Sequence, residues 1–365
     1  MNKIKVCHFT SVHSIHDDRI FIKECVNLAS NGFEVTLIAC GESEYEENKN
    51  GVKCISLYIP VKNRFQRMIK RPKAIYKKAL EINADIYHFH DPELLPVGKK
   101  LKRKGKKVIY DSHEDLPRQI FQKEWIPDFL KRSASIIMEF IENYYVKQLD
   151  AIVTVTEFIA KRFQKIAKKV IVCANYASLN EFDAIPDYKK NCNSICFIGG
   201  ITKLRGIKEV VYACEKVGVE LNLAGEFENE KLKTKILVSE KVNYLGYLNR
   251  EETRKVLARS FAGMVTFLPA PNHNNACPNK MFEYMASGIP VIASNFEKWI
   301  PIIEGNYAGI CVDPTNIEEI SNAIGYLKNN PQIAAEMGKN GRRAFEEKYN
   351  WQVEEKKLID LYNTI

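Results

Sequence analysis

The chain has 365 residues, 45% of them hydrophobic and 27% charged, with a formal net charge of +9. That is the balance of a globular protein long enough for two domains. It holds no run near the roughly 18 apolar residues that a spanning helix needs. The longest candidate, 135–141, is short and contains Glu139. The charge is uneven: residues 1–180 hold 31 Lys+Arg against 21 Asp+Glu, and 181–365 hold 23 against 24. Residues 62–107 alone carry 15 basic and 4 acidic side chains, a solvated face on the plain reading and an anion-seeking one on the other. Anionic lipid and nucleic acid are both open as partners at this point.

In chain order, residues 4–10 predict a strand rather than a signal peptide. Asp17 and Asp18 cap a helix to about residue 30, ended by Asn31-Gly32. A strand over 34–40 follows, then a strand (85–90), a helix (92–103), a strand (107–111) and a long helical stretch over 125–148. A strand (151–155), a helix (157–167) and a strand (170–174) complete the first series. Residues 176–193 are polar, contain Pro186 and read as a linker. The second series has strands over 194–198, 220–224, 242–245, 263–268 and 290–294. Its helices are 206–216, 250–258 and 278–287, and the chain is largely helical from 317 onward. Continuous apolar strands alternating with helices imply two doubly wound parallel sheets, whose ligands bind beyond the carboxyl ends of the strands. Two such halves facing each other make a cleft suited to a small molecule. The ten cysteines fall mostly in apolar runs (Cys7, Cys40, Cys173, Cys196, Cys311), where a thiol acts as a small hydrophobe. Cys192 and Cys196 have no second Cys/His pair nearby to complete a zinc site.

Four segments bear chemistry. In 276–294, Pro278 suits the first position of a helix and Gly288 its end. The helix N-terminus attracts phosphate, with Lys280 to neutralise it and Glu283 one turn on to bond sugar or ribose hydroxyls. An i,i+3 ion pair on a surface helix fits that spacing equally well. In 197–207, a strand ends in Gly199-Gly200 and a basic loop brings Lys203 and Arg205, suited to a diphosphate. In 108–117, His113 and three acids lie just past a strand end, where His113 can serve a reacting hydroxyl or phosphate oxygen or, equally, cap the following helix. His88-Phe-His-Asp-Pro-Glu93 repeats the pattern at the preceding strand. The first loop, 11–20, lacks Gly-x-Gly-x-x-Gly, and no Walker loop occurs, which argues against nicotinamide, flavin and ATP-driven chemistry.

On these residues the chain resembles family 4 of the retaining glycosyltransferases, which have the GT-B fold. The similarity runs over nearly its whole length. Pro278-Asn-Lys-Met-Phe-Glu-Tyr-Met-Ala-Ser-Gly-Ile-Pro-Val-Ile292 is the most specific block, followed by the Gly-Gly…Arg-Gly loop. His16-Asp-Asp-Arg-Ile-Phe-Ile-Lys23, His90-Asp-Pro-Glu-Leu-Leu-Pro96 and Tyr110-Asp-Ser-His-Glu114 resemble a bacterial surface-polysaccharide subgroup. The resemblance implies an α/β GT-B chain of two Rossmann-like domains. These are an acceptor domain over 1–178, with residues 350–365 crossing back to it, and a nucleotide-sugar domain over 190–349.

It further implies a catalytic His113 and donor contacts from Gly199, Gly200, Lys203, Arg205, Asn275, Asn279, Lys280 and Glu283. Glu283 matches the second glutamate of an E-x7-E element, and Asn275 stands where the first is expected. His16, Asp18, Arg19, His90 and Glu114 fall on the acceptor side. The implied substrates are a UDP- or GDP-linked sugar and a lipid-linked or saccharide acceptor, with no metal and no cofactor. The implied setting is cytoplasmic, at an anionic membrane surface, without nucleic acid. A GT-B sugar-nucleotide epimerase and a non-catalytic partner subunit are the alternatives.

Overall fold

The computed structural model describes residues 3–122, 126–181, 193–270, 273–274 and 276–365. The chain divides into two compact units, Met1–Asn175 with Val353–Ile365, and Tyr176–Gln352. The second unit therefore begins at Tyr176, inside the stretch that composition marks as a linker.

The first unit is built on one sheet. Its strands are β1 (Lys5–Phe9), β2 (Glu34–Gly41), β3 (Tyr45–Lys49), β4 (Val52–Tyr58), β5 (Ile86–Phe89), β6 (Lys107–Ser112), β7 (Ala151–Thr154) and β8 (Val170–Val172). They lie in the order β3-β4-β2-β1-β5-β6-β7-β8, and only β3 runs antiparallel to its neighbour. The chain reverses its direction of winding between β1 and β5, the place where such sheets open a crevice. Side chains alternate across the strands. Cys7, Phe9, Tyr87, Phe89 and Tyr110 therefore fill one apolar face. The opposite face receives His8, paired in register with His88.

The helices of this unit are α1 (Asp18–Val26, running on into Asn27–Ser30), α2 (Arg64–Ile82), α3 (Leu95–Arg103), α4 (Leu116–Gln119), α5 (Asp128–Val146) and α6 (Glu157–Phe163). Residues 41–84, to which the alternation assigned no element, form a hairpin and the long α2. The hairpin signal is Asn50-Gly51, both with positive φ (52° and 80°), as a tight two-residue turn requires. The expected α-helix from Asp17 is instead wound as a π-type turn over Asp18–Val26 before it tightens. Asp17 does cap it, accepting from the Arg19 and Ile20 amides at 2.9 and 3.0 Å.

The second unit is a six-stranded, fully parallel sheet. In chain order its elements are β9 (Ser194–Ile198), α7 (Ile207–Val217), β10 (Glu220–Ala224), α8 (Glu230–Ile236), β11 (Val242–Tyr244), α9 (Arg250–Leu257), β12 (Gly263–Val265), α10 (Asn279–Ala286), β13 (Val291–Ser294), α11 (Ile300–Ile303), β14 (Gly309–Val312), α12 (Ile317–Asn329) and α13 (Pro331–Glu347). The strand order is β11-β10-β9-β12-β13-β14. One apolar cluster packs α7 and α12 on the sheet, and another packs α10 and α13. Each unit is thus a parallel sheet with helices on both faces, as the alternation predicts. The last helix, α14 (Trp351–Thr364), passes from one unit to the other at residue 353.

Candidate functional site

In the second unit the informative geometry lies at the carboxyl end of β9. Gly199 has φ +112°, a conformation that favours glycine. A Cβ built there would sit 3.6 Å from Arg205 Nη1 and 3.8 Å from Lys280 Cε, so the two cationic side chains converge over this one residue. Gly225 (φ +132°) backs it, and a Cβ there would strike the Gly199 carbonyl oxygen at 2.3 Å.

Arg205 ends a short turn capped by the Thr202 hydroxyl, donates from Nη1 to the Gly200 carbonyl at 3.0 Å and lies 5.4 Å over the Phe267 ring. Lys280 is in the first turn of α10. Its Nζ lies 3.6 Å over the Phe197 ring and 5.3 Å from that of Phe267. That ammonium is buried and has no hydrogen-bond acceptor, and among the described residues no carboxylate pairs with either cation. Burial holds the Lys280 pKa well below the usual lysine value, and the adjacent Arg205 charge adds to the shift. Burial likewise lowers Arg205. No side chain caps the amides that open α10. One buried and one half-buried cation beside the first turn of α10 have the chemistry that suits a doubly charged anion such as a diphosphate.

The other predicted donor residues are placed differently. Helix α10 spans eight residues, and Pro278 (ψ 129°) is its cap, not its first helical residue. Lys280 does not pair with Glu283. Glu283 instead binds Arg250 Nη1 at 3.1 Å, which also lies 3.3 Å from Glu181. Lys203 and Asn279 are exposed, and the residue brought beside Arg205 is Lys280. Asn275 lies outside the described residues. Nothing in the local pattern marks Phe197, Phe267 or Arg250. Aromatic residues inside apolar strands look like ordinary core, and Arg250 looks like the start of a surface helix.

In the first unit the site centres on Asp111, at the end of β6. Its carboxylate receives the Arg19 guanidinium (Nε at 3.2 Å, Nη2 at 3.0 Å) and lies 3.6 Å from His90 Nδ1 and 3.4 Å from His113 Nδ1. Arg19 is therefore a buried binding partner, also donating to the Cys173 carbonyl at 3.1 Å. Its Nε lies 3.1 Å from Glu24. The π winding explains that pair. Residues i and i+5 line up along a π turn, whereas in an α-helix they would point apart. Arg19 and His90 thus lie with His113 around Asp111. His16, Asp18 and Glu114 do not. They are exposed; His16 lies 3.6 Å from Glu47, and Glu114 takes a hydrogen bond from Gln119. The residue beside His113 is His13, with ring centroids 5.6 Å apart. Asp17 stands 3.3 Å from His13 and raises its pKa.

Behind this lies a polar network in which sequence pattern marked His88 and His90 but not His8 or Tyr362, because a single histidine in an apolar strand looks like core. His8 Nδ1 and His90 Nε2 are 3.0 Å apart. The Tyr362 hydroxyl, from α14, bridges His8 Nε2 (2.9 Å) and His88 Nδ1 (2.7 Å). With a proton on His90 Nδ1 toward Asp111, the bonds take one polarity. His8 Nδ1 donates to His90, Tyr362 donates to His8, and His88 Nδ1 donates to Tyr362. Burial lowers His8 and His88 well below the usual histidine value. It lowers His113 to about 3. These imidazoles are neutral at physiological pH. Asp91 holds the first loop down, accepting from Thr10 Oγ1 (2.7 Å) and the Ser11 amide (2.6 Å).

Among the described residues, two groups have ligand-type atoms close enough for a metal ion: His8, Glu24, His88 and His90, and His90, Asp111 and His113. In the first, Tyr362 and the neighbouring rings already engage the nitrogens, and Arg19 abuts Glu24. In the second, the His90 and His113 rings are parallel within 2°, so their in-plane lone pairs do not converge. The first group is a hydrogen-bonding network; in the second, His90 Nδ1 and His113 Nδ1 lie 3.6 and 3.4 Å from Asp111 without forming hydrogen bonds.

Comparison with known proteins gives this geometry a class. Residues 180–344 match the family described as glycosyl transferases group 1, and residues 22–177 match glycosyltransferase family 4. These matches and the relatives below support the GT-B glycosyltransferase family 4 class and a sugar-nucleotide donor.

Among curated relatives, the MMP α-(1→4)-mannosyltransferase of Mycolicibacterium hassiacum is 27% identical over 44% of this chain and 40% of its own. The capsular polysaccharide biosynthesis glycosyltransferase CapM of Staphylococcus aureus is 24% identical over 47% and 46%. The match therefore spans less than half the length of either. The α-galactosylglucosyldiacylglycerol synthase of Streptococcus pneumoniae is 23% identical over 78% and 79%. Among solved structures, sucrose-phosphate synthase from Thermosynechococcus elongatus superposes with a TM-score of 0.78 at 16% identity, covering 99% of this chain and 98% of that one. Anabaena Alr3699/HepE in complex with UDP-glucose superposes at 0.73 and 12%, covering 99% and 100%. The fold is GT-B.

Proposed function

We propose that the protein is a retaining, metal-independent glycosyltransferase acting on a lipid-linked or saccharide acceptor in surface polysaccharide synthesis. Its donor is a UDP- or GDP-linked sugar. The carrying observation is the convergence of half-buried Arg205 and buried Lys280 over Gly199, with no carboxylate partner for either among the described residues. Arg205, Lys280 and the first amides of α10 hold the diphosphate and stabilise it as it leaves. Glu283 secures the ribose, exchanging its bond to Arg250 for the sugar hydroxyls.

His113, neutral, bonds the reacting sugar or acceptor. The acceptor hydroxyl attacks the anomeric carbon from the face the diphosphate leaves. The carbon–oxygen bond to phosphate breaks as the new one forms, and a diphosphate oxygen takes the acceptor proton. Names among the relatives, a capsular polysaccharide enzyme and a glycolipid synthase, support the acceptor class. No helix among the described residues is long and apolar enough to cross a membrane. The basic excess of residues 62–107 supports a cytoplasmic protein held peripherally on anionic lipid.

The test is incubation with UDP-, GDP- and ADP-sugars, following anomeric signals by NMR. Transfer or hydrolysis with the donor's anomeric configuration kept is expected. Interconversion of donors makes it an epimerase, and silence with every donor makes it a non-catalytic partner.

A further inference from the structure

Helix α5 is built inside out. Its inward side carries Ser135, Glu142 and Val146, all buried. Glu142 is held there by Arg162 at 2.7 Å and by the Tyr110 hydroxyl at 3.1 Å. Its outward side carries Phe129 (81% exposed), Phe140 (74%), Ile136 (61%), Ile137 (58%) and Ile141 (41%). The spacing puts these on one stripe. A helix covering a core in water shows the reverse arrangement, and a contiguous exposed apolar ridge marks a contact surface.

The surroundings identify the occupant. Helix α3 adjoins α5: Lys99 Nζ donates to the Tyr144 hydroxyl at 2.5 Å and lies 4.2 Å over that ring. Helix α2 adjoins α3, with Lys100 Nζ 5.3 Å over the Tyr76 ring. It adds exposed Phe65, Met68 and Ile69 among exposed Arg64, Lys70, Lys73 and Lys77. The acids of α5 are neutralised in place, Asp128 by Lys131 (2.7 Å) and Glu139 by Arg118 (2.5 Å). Among the described residues no carboxylate pairs with Lys70, Lys73 or Lys77, so the ridge is flanked by positive charge. A second copy of the same face would bring like charges together. A leaflet offering acyl chains under anionic headgroups matches both features.

We infer that α2, α3 and α5 form a docking face for an anionic lipid leaflet, with the α5 ridge inserted at the headgroup boundary and the lysines on the headgroups. This deepens the lipid-acceptor reading and rests on it for its purpose, but it is measured without turnover.

The test is sedimentation with phosphatidylcholine vesicles, with and without phosphatidylglycerol, for the wild-type chain and the double variant Phe129→Ser/Phe140→Ser. Both side chains are exposed, so the melting temperature should be unchanged. The wild type should bind the anionic vesicles roughly tenfold or more tightly than the neutral ones, and the variant should lose roughly tenfold. Nucleotide-sugar hydrolysis without vesicles, equal in both proteins, checks the transferase reading separately. Equal binding by wild type and variant overturns the inference. So does a dimer, seen by light scattering, that the variant abolishes while its vesicle binding persists.

Discussion

Lys280 Nζ stands 3.6 Å above the Phe197 ring and 5.3 Å from that of Phe267, with no hydrogen-bond acceptor among the described residues, a buried ammonium held by aromatic faces. A cation–π contact offsets only part of the desolvation, so the site is more stable with an anion in it. Lys280→Met keeps the volume and removes the charge. Its melting temperature should be equal or higher, while affinity for UDP or GDP falls roughly tenfold or more, since a charged hydrogen bond is worth about 1.5–3 kcal/mol. Calorimetric titration of each nucleotide checks this, and undiminished affinity would place the diphosphate elsewhere.

The depressed pKa of Lys280 carries a second consequence. Above that pKa the amine is neutral in the free protein, and an arriving diphosphate raises the pKa and draws a proton. Nucleotide binding should therefore take up protons and weaken as pH rises. Titrations in buffers of different ionisation enthalpy measure the uptake. Uptake that is absent, or that persists in Lys280→Met, assigns the proton to another group.

Glu283 is engaged with Arg250 at 3.1 Å, and the proposal has it exchange that partner for ribose hydroxyls. Glu283→Ala should cut nucleotide affinity roughly tenfold or more. Arg250→Ala, at a half-exposed position, should leave it equal or improved. If Glu283→Ala binds UDP and GDP as the wild type does, the ribose contact has been misplaced.

Period and punctuation made much of this fold legible. The apolar strands and their intervening helices fall near their expected places because buried parallel strands admit few polar residues. Arg205 and Lys280 were legible because glycine-ended strands and helix starts are marked in sequence. His8, Glu24 and Tyr362 were not. They meet across 354 residues of chain, and no local pattern reports that His8 and His88 share a register. His13 lost to His16 for a similar reason: the loop's direction depends on Asp91 pinning Thr10 and Ser11.

In the proposed reading, Arg205 and Lys280 supply the positive charge on the diphosphate that a divalent ion supplies elsewhere. Transfer should proceed at the same rate in EDTA as in magnesium. A loss of roughly tenfold or more on chelation, restored by added metal, would assign the leaving-group charge to an ion instead.

Tyr362 ties α14 to the histidines, and acid should loosen the first unit. His8 and His88 are lowered by burial, and His113 is lowered to about 3. Their folded pKa values lie below the unfolded value near 6.5, so the unfolded chain takes up protons first. The stability they contribute is complete above about pH 6.5 and is lost as pH falls toward 3. Asp111, held well below its usual range though burial opposes the shift, with Arg19 the chief cause, adds loss in the same direction below its unfolded pKa. Glu24, raised by burial and by Asp111, opposes it. His13, raised by Asp17, and Glu142 and Asp115, raised by burial, oppose it too. Charging the buried imidazoles breaks the hydrogen bonds around Tyr362, and on that ground the melting temperature should fall below pH 6.5. Tyr362→Phe strips the partner from His8 Nε2 and His88 Nδ1. Each buried nitrogen left unsatisfied costs about 1–3 kcal/mol, so its melting curve should lie below the wild type's even at pH 8. Circular dichroism melts from pH 4 to 8 test both, and a flat wild-type profile across that range would mean the histidines are not buried in neutral form.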